Sequence, residues 1–262
     1  MKEGYHSEIS EFIHPIETGH DNDEFNQWFG GVIEAGSTLS IKPNSYLRDG
    51  EKVAYPKPIF QFQDEDKVKS QRLRELLGGS ISGTKDNSYE WRLSGNRLAD
   101  LLIPIAQYTP SRRDMISNIE LWQQLNKEEQ LELAYQLKGN NRYDADLQPR
   151  EYANLVDLSP FVAGVIDAKA RLHTYPHYGY TEPQVRLTSR NKLLLDALHE
   201  KFGGYLSTEV AGTIKFKDEM SFLTTRDSHN LQFTNAQARE IVNFARPHLI
   251  LQPEQADTIL NK

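Results

Sequence analysis

Two short segments of this 262-residue chain share one unusual pattern, and they constrain its fold more than any other feature. Residues 28–36 (WFGGVIEAG) and residues 161–169 (FVAGVIDAK) each contain paired small residues, then two β-branched residues, an acid and an alanine. Two helices can approach closely only where their facing residues are small. The two copies therefore predict a pair of helices in contact through Gly30-Gly31 and Ala163-Gly164.

An internal repeat surrounds the two segments. In each part of the chain, a strand-like segment leads into an amphipathic stretch that ends at a Gly-Gly pair. Sixteen residues separate Phe62 from Gly78, and sixteen separate Leu187 from Gly203. Matched spacing indicates two copies of one unit, each predicted as helix, hairpin, helix, hairpin, helix. The further strand-like segments that follow the Gly-Gly pairs are 89–93 and 213–216.

The repeat divides the chain into four predicted parts. They are an acidic N-terminal arm (1–23), a first half (24–120), a connector (121–157) and a second half (158–262). Asp49-Gly50 is predicted to form the tip of the first long hairpin. Residues 120–158 are predicted as a helix that stops at residues 139–141 (GNN), followed by a polar segment. The apolar positions of that helix are Leu121, Leu125, Leu131 and Leu133.

The composition excludes several classes of protein and disfavours another. With 38% hydrophobic and 26% charged residues the chain has an ordinary globular composition, and no stretch is long enough to cross a membrane. The absence of cysteine excludes a disulfide scaffold and a thiolate metal site. No phosphate loop, dinucleotide fingerprint or nucleophile elbow is present, so no cofactor is expected. The net charge of −7 counts against a free-standing scanning nuclease, because phosphate contacts dominate nucleic-acid affinity.

The two motif segments resemble the signature helix of the LAGLIDADG homing endonucleases, and two copies in one chain resemble the monomeric form of that family. The resemblance extends over nearly the whole chain from about residue 24. It implies an α/β (α+β) monomer of two pseudo-symmetric αββαββα halves with saddle-shaped antiparallel sheets. In this family each signature helix ends on a second acid, and the two acids together bind divalent metals that activate water.

The chain departs from the family where those acids should stand. The two positions are Gly36, which has no side chain, and Lys169, which is a cation. No catalytic residue and no metal site are therefore expected. Glu34 and Asp167 lie two residues earlier, about 200° around the helix, and are predicted to cap or orient backbone. With Asp64 they are the fallback ligands of an alternative hypothesis, an active DNA endonuclease that uses Mg²⁺ in unusual geometry.

Two other family positions also differ between the halves. A basic residue near the metal site falls on Arg112 in the first half and on Gln252 in the second. A polar residue that positions water at the end of the second strand falls on Asp64 and Ser189.

The sheets of this family lie along a duplex groove, where alternate residues contact bases and phosphates. That geometry implies a set of side chains that bind nucleic acid. They are Ser40, Lys42, Asn44, Tyr46, Gln61, Gln63, Arg112, Arg113, Arg171, His173, Tyr175, His177, Arg186, Thr188, Arg190, Lys192, Lys215 and Lys217. A zinc site at His173 and His177 is not expected, because their spacing in a strand is not that of a helical metal pair.

Charge is unevenly distributed along the chain. Residues 1–36 contain eight acids and one lysine, whereas residues 169–192 contain five basic residues and Glu182 as the only acid. The acidic arm is either a solvated tail or a segment that docks on a basic partner protein. Arg186 and Lys192 are predicted to be phosphate contacts.

The leading hypothesis is a nuclease-inactive protein that binds structured nucleic acid, with RNA ahead of duplex DNA. The family resemblance suggests a splicing factor, or a subunit of a ribonucleoprotein such as an organellar ribosome, in the mitochondrial matrix or plastid stroma; a cytoplasmic location stays open. The alternatives are the active endonuclease and a protein-interaction scaffold that has lost nucleic acid, which the net charge favours.

Overall fold

The computed structural model describes residues 22–48, 51–84, 87–138, 147–177, 180–212, 214–217, 220–223 and 226–261. The predicted acidic arm up to residue 21, the Asp49-Gly50 turn and residues 139–141 lie outside these ranges. Within the described part of the chain, no helix has the length and apolar character that spanning a membrane requires.

The elements follow one another in two matched series. The first half contains α1 (Asn22–Glu34), β1 (Thr38–Arg48), β2 (Glu51–Asp64), α2 (Lys67–Leu77), β3 (Ser80–Gly83), β4 (Tyr89–Ser94) and α3 (Asn96–Leu102). The connecting region contains α4 (Arg113–Gln124), α5 (Lys127–Gln136) and α6 (Arg150–Ala153). The second half contains α7 (Ser159–Lys169), β5 (Ala170–His177), β6 (Tyr180–Ser189), α8 (Lys192–Phe202), β7 (Tyr205–Glu209), β8 (Ile214–Lys217), β9 (Met220–Leu223), β10 (Ser228–Thr234), α9 (Asn235–Ala245) and α10 (Pro253–Leu260).

Each half builds one antiparallel four-stranded sheet. The strand orders are β1-β2-β4-β3 and β5-β6-β10-β7, so the two sheets have equivalent topology. Apolar residues alternate along the strands and face the helices, as Phe60 and Phe62 do in β2 and Leu231 and Phe233 do in β10. The predicted pair of pseudo-symmetric αββαββα halves is confirmed.

The two signature helices, α1 and α7, are in direct contact at the centre of the molecule. A Cβ atom added to Gly31 would lie 2.1 Å from the carbonyl oxygen of Phe161, and one added to Gly164 would lie 1.9 Å from the carbonyl oxygen of Trp28. Neither contact leaves room for a methyl group. The predicted packing of the helices through these glycines is confirmed.

The strand predicted at 213–216 does not occupy the place assigned to it. It forms β8, which pairs with β9 in a separate two-stranded sheet. The central position that β4 holds in the first sheet belongs to β10, which lies between β6 and β7. Both segments alternate apolar and polar residues, and this alternation alone could not tell the inserted hairpin from the sheet strand.

The connecting region also differs from its prediction. A single helix was expected from residue 120, whereas α4 begins at Arg113 and α5 follows a break. Asn126 causes the break by forming a capping box with Glu129 at the start of α5. Leu121 is 45% exposed, and Trp122 is the residue that enters the core.

Candidate nucleic-acid interface

The side of each sheet opposite the helices carries polar side chains. On the second sheet this surface, called here the second polar face, is defined by residues that share one register across four strands. They are Arg171, His173, Tyr175, Glu182, Gln184, Arg186, Thr188, Tyr205, Ser207, Glu209, Ser228, Asn230 and Gln232. The predicted residues Arg171, His173, Tyr175, Arg186 and Thr188 therefore lie together on one face.

The second polar face combines one unpaired cation, Arg186, with hydrogen-bonding groups. Among the described residues, Arg186 has no hydrogen-bond or ion-pair partner, and its guanidinium is exposed. Thr188 donates to Asn230 Oδ1 at 2.7 Å. At the outer edges of the sheet, Tyr175 is 51% exposed and Tyr205 is 71% exposed. This face therefore offers a cation, hydrogen-bonding groups and aromatic rings to a ligand.

The corresponding surface of the first sheet, the first polar face, is defined by Lys42, Gln61, Gln63, Glu90 and Arg92. Most of its polar side chains are hydrogen-bonded or ion-paired with one another, whereas Lys57, opposite Lys42 on the neighbouring strand, lies over the Tyr55 ring at 5.6 Å. Lys42 Nζ donates to Gln61 Oε1 at 2.7 Å, and Gln61 Nε2 donates to Glu90 Oε2 at 2.9 Å. Arg92 Nη2 forms an ion pair with Glu90 Oε1 at 2.6 Å. The charge of Arg92 is therefore largely neutralised before any ligand arrives.

The ends of α1 and α7 meet between the two faces. Gly36 has φ +137°, a conformation that L side chains rarely adopt, and a Cβ built there would lie 2.8 Å from Lys169 Cε. The stem of Lys169 thus occupies the volume of the missing side chain at position 36. Two cavities of about 1030 and about 930 Å³ open on either side of this point, and Lys169 lines both.

The ammonium of Lys169 is half-buried and, among the described residues, makes no hydrogen bond and no ion pair. Burial lowers the pKa of Lys169; the nearby Asp64 opposes this shift, and Lys69 and Arg190 reinforce it. Arg190 is exposed and lines the smaller cavity. Lys169 and Arg190 are thus two cations at the centre that have no ion-pair partner among the described residues.

Asp64 and Ser189 end β2 and β6, as predicted from the repeat. Asp64 accepts a hydrogen bond from the backbone N–H of Asp66 at 2.7 Å, and Ser189 accepts one from the backbone N–H of Asn191 at 3.1 Å. Asp64 also forms an ion pair with Lys69 at 3.4 Å. Both side chains therefore shape the turn that follows their strand.

The residues around this point do not fit a divalent metal. Gly36 offers no ligand, Lys169 would repel a cation, and Asp64 is already paired with Lys69. No group of three or more His, Asp or Glu side chains that could hold a metal occurs in the described ranges. Divalent cations in proteins require several oxygen ligands, usually carboxylates, and this centre does not supply them.

Glu34 does not face the centre. Its carboxylate is fully buried and accepts hydrogen bonds from Ser111 N at 2.9 Å, Ser111 Oγ at 2.6 Å and Asn191 Nδ2 at 2.9 Å. The hydroxyl of Tyr152, on α6, donates to the same carboxylate. Burial raises the pKa of Glu34, while the hydrogen bonds from Ser111 and Tyr152 and the charge of Arg112 act in the opposite direction.

Asp167 holds the equivalent place in the second half. It is fully buried and accepts hydrogen bonds from Trp28 Nε1 at 2.9 Å, Ile250 N at 2.7 Å and Gln252 N at 3.1 Å. Burial raises the pKa of Asp167, and the backbone hydrogen bond from Ile250 is the largest opposing contribution. The prediction that Glu34 and Asp167 orient neighbouring backbone is confirmed, and neither is available as a metal ligand.

Arg112 and Gln252 occupy equivalent positions, as the repeat predicted. Arg112 Nη2 donates to the carbonyl oxygen of Ser37 at 3.0 Å, and Gln252 Nε2 donates to that of Ile166 at 2.7 Å. Both side chains are buried, and each lines one of the two cavities. They brace the ends of the signature helices from the cavity side.

Several residues predicted to bind nucleic acid lie elsewhere. Arg113, on α4, forms an ion pair with Glu151 of α6 at 3.2 Å, and it is directed towards the connecting region. Lys192 lies on α8, outside the second polar face, and is paired with Asp196 at 2.7 Å, which argues against its predicted phosphate contact. Ser40 is buried.

The remaining predicted positions are on strands. Lys215 and Lys217 belong to the hairpin of β8 and β9 and not to the four-stranded sheet. Asn44 and Tyr46 lie in β1, and His177 lies in β5, but their side chains are outside what the structure describes.

Sequence reasoning missed the contribution of β10. Its residues Ser228, Asn230 and Gln232 lie on the second polar face, between its buried positions His229, Leu231 and Phe233. The strict alternation of residues 228–234 (SHNLQFT) contained the signal. The segment at 214–217 is more charged and precedes this strand, so the sequence pattern favours it for the same place in the sheet.

Comparison with known proteins places the fold. No family model matches the chain, and no curated protein matches its sequence. The fold is that of the LAGLIDADG homing endonucleases, in the form that carries two repeats in one chain. The chain is similar to the LAGLIDADG meganuclease I-AabMI bound to uncleaved DNA, with TM-score 0.55, 14% identity, and coverage of 90% of this chain and 89% of that one.

A second similar structure is I-SmaMI bound to an uncleaved DNA target in the presence of calcium ions. Its TM-score is 0.50 at 13% identity, with coverage of 89% of this chain and 87% of that one. A double mutant of I-SmaMI has TM-score 0.53 at 14% identity, with coverage of 88% and 87%. At such low identity the likeness establishes the fold, and the site has to be argued from this chain's own residues.

Proposed function

We propose that this protein binds base-paired nucleic acid across its two polar faces and does not cut it. The observation that carries the proposal is the cation at the centre: Lys169 stands between the two sheets in the position that the family resemblance assigns to a metal-binding acid. A cation at this point favours a phosphate and disfavours a metal ion.

The distribution of paired and free charges supports a nucleic-acid ligand. Lys169, Arg186 and Arg190 are without an ion-pair partner among the described residues, and all three line the cavities between the sheets. Free cations in a groove attract phosphates and release counterions on binding. The net charge of −7 does not oppose this, because eight of the acids lie within the first 36 residues.

The carboxylates near the centre are the reason to expect no cleavage. Hydrolysis in this family needs carboxylates that hold a metal and thereby activate water. In this chain Glu34 and Asp167 are enclosed by hydrogen-bond donors, and Asp64 is paired with Lys69. The alternative of an active endonuclease would require these groups to leave stable buried contacts.

RNA is the preferred candidate for the ligand, and DNA is the second. Two of the similar structures named above, I-AabMI and I-SmaMI with calcium ions, were bound to DNA. A chain that no longer cuts has no need of a cleavable target, and the second polar face carries amides and hydroxyls that suit the 2′-hydroxyls of a shallow RNA minor groove. The role would be that of a splicing factor or a ribonucleoprotein subunit, in an organelle as the family resemblance suggests.

The test measures binding and cleavage with the natural protein. A DNA duplex, a base-paired RNA stem and a single strand are titrated side by side at several salt concentrations, and plasmid DNA is incubated with Mg²⁺ or Mn²⁺. We expect binding to a duplex, tightest for RNA, and no product of cleavage. Failure to bind any of the three would refute the proposal. Metal-dependent cleavage abolished by Asp64→Asn would establish the endonuclease instead.

A further inference from the structure

The centre between the halves contains a cation, Lys169, that makes no ion pair among the described residues, although the Asp64 carboxylate is one of its charged neighbours. Lys169 is the one basic side chain that lines both cavities, and it stands beside Gln63, Thr188 and Ser228, which also line both. Gln63 and Thr188 are each one residue from the end of the central strands β2 and β6. The ammonium therefore lies near the pseudo-two-fold axis, accessible from both sheets.

The Lys169 ammonium also lacks an acceptor. A half-buried ammonium has three donors to satisfy, and leaving them unmatched is costly. Among the described residues no oxygen accepts from it, and the nearest carboxylate, Asp64, is held by Lys69 and by the N–H of Asp66. Arg190, on the other side, adds positive charge. A ligand with acceptor oxygens that enters the cavities would supply acceptors for this ammonium.

We propose that Lys169 binds one phosphate of the nucleic-acid backbone at the midpoint between the two halves, and that this contact replaces the metal ions of the cutting relatives. The inference rests on the proposed function and names its central contact. A phosphate supplies several acceptor oxygens and a negative charge, which matches a partly desolvated ammonium. Lys69 and Arg190 add to the positive potential around it. Binding at the centre is then independent of divalent cations.

The experiment compares Lys169→Met with Lys192→Met. Methionine keeps the apolar stem that fills the space beside Gly36 and removes the charge. Lys192 is a matched control, since it is a lysine of the same half whose charge is already paired with Asp196. Affinity for a labelled DNA duplex and for an RNA stem is measured over a series of KCl concentrations in the presence of EDTA, and then with Mg²⁺ at constant ionic strength.

We expect Lys169→Met to weaken binding to both probes and to reduce the salt slope by about one unit or slightly less. Lys192→Met should leave both unchanged, and Mg²⁺ should not strengthen binding by the natural protein. In the free protein, thermal unfolding of Lys169→Met should occur at the same or a higher temperature, because an unmatched ammonium has been removed. A lysine with a purely structural role would give a lower temperature.

The outcomes separate this inference from the function on which it rests. Superimposable binding curves for Lys169→Met and the natural protein, at a salt concentration where the natural protein binds, would overturn the central phosphate contact and leave the nucleic-acid function intact. Affinity that rises with Mg²⁺ would also overturn it. Absence of binding by the natural protein would reject the proposed function itself.

Discussion

The two halves of the molecule share one fold and differ in how they use their charges. On the first polar face Arg92 is held by Glu90, and Lys42 is held by Gln61. On the second polar face Arg186 has no such partner among the described residues. Topological symmetry therefore does not impose chemical symmetry: Arg92 on the first face is paired within that face, whereas Arg186 on the second face is not.

Unlike the charges on the polar faces, the buried acids of the two signature helices have equivalent roles in the two halves. Glu34 accepts from Asn191 of the second half, and Asp167 accepts from Trp28 of the first. Each acid thus joins the halves across the helix pair. The part of the motif that builds the fold is the same in both copies, whereas the position where catalysis would occur differs in each.

The largest expected effect concerns the symmetric part of the structure. Gly31→Ala and Gly164→Ala should each lower the free energy of unfolding by about 3 kcal/mol or more, because the added methyl group meets a backbone oxygen that cannot move aside. Urea denaturation measures the change. Gly83→Ala is the control, since nothing lies within 4 Å of a Cβ at that site. A loss at one glycine only would break the symmetry of the interface.

The buried acids should give the next largest effect. Asp167→Asn and Glu34→Gln should each lower the free energy of unfolding by about 1–3 kcal/mol, because the new amide group faces an N–H or O–H donor that then has no acceptor. Thermal or urea denaturation compares them with the exposed change Asp157→Asn. Wild-type stability of either variant would contradict the hydrogen-bonding roles assigned here.

The same acids predict a pH dependence. Burial raises the pKa of Glu34 and Asp167 above their ordinary values of 4.5 and 3.8. The folded chain then holds these protons more tightly than the unfolded chain, so their contribution is fully present below the ordinary values and is lost as the pH rises through the folded pKa. In a pH series of urea denaturation, the difference between the natural protein and Asp167→Asn should change over that range. A pH-independent difference would contradict the raised pKa.

The comparison of the polar faces predicts a smaller effect, on binding. Arg186→Ala should reduce the salt slope for duplex binding by about 0.9, because a free guanidinium is removed. Arg92→Ala should reduce it by clearly less, since Glu90 already neutralises that charge. Fluorescence anisotropy at several KCl concentrations measures both. Equal slopes for the two variants would show that the faces contribute alike.

The smallest effect belongs to Arg171–Glu65, one of the ion pairs that cross from one half to the other. Arg171 and Glu65 approach to 2.9 Å with both side chains well exposed. A double-mutant cycle with Arg171→Ala and Glu65→Ala should give a coupling of roughly 0.2–1 kcal/mol, reduced by added salt. A larger value would mean that surface charge, and not the glycine interface, holds the halves together.

The sequence alone predicted the structure correctly where a pattern is compatible with only one arrangement. Paired glycines in two matched helices require close packing, and the spacing of Phe62 and Gly78 fixes the order of the elements. The sequence did not identify the correct sheet strand near residue 214, because two neighbouring segments show the same alternation of apolar and polar residues. It could not show that Lys192 meets Asp196 or that Arg113 meets Glu151, because such pairings depend on side-chain directions that the pattern does not record.

The contact between Gly36 and Lys169 also limits the order in which the two positions could change during evolution. An aspartate gained first at position 36 would meet a backbone with φ +137° and would pair with the ammonium beside it, so it would not be free for a metal. A carboxylate gained first at position 169 would instead face Asp64 across an open cavity. In this chain, a pair of carboxylates at the two positions could therefore form a metal site only if position 169 changed before position 36.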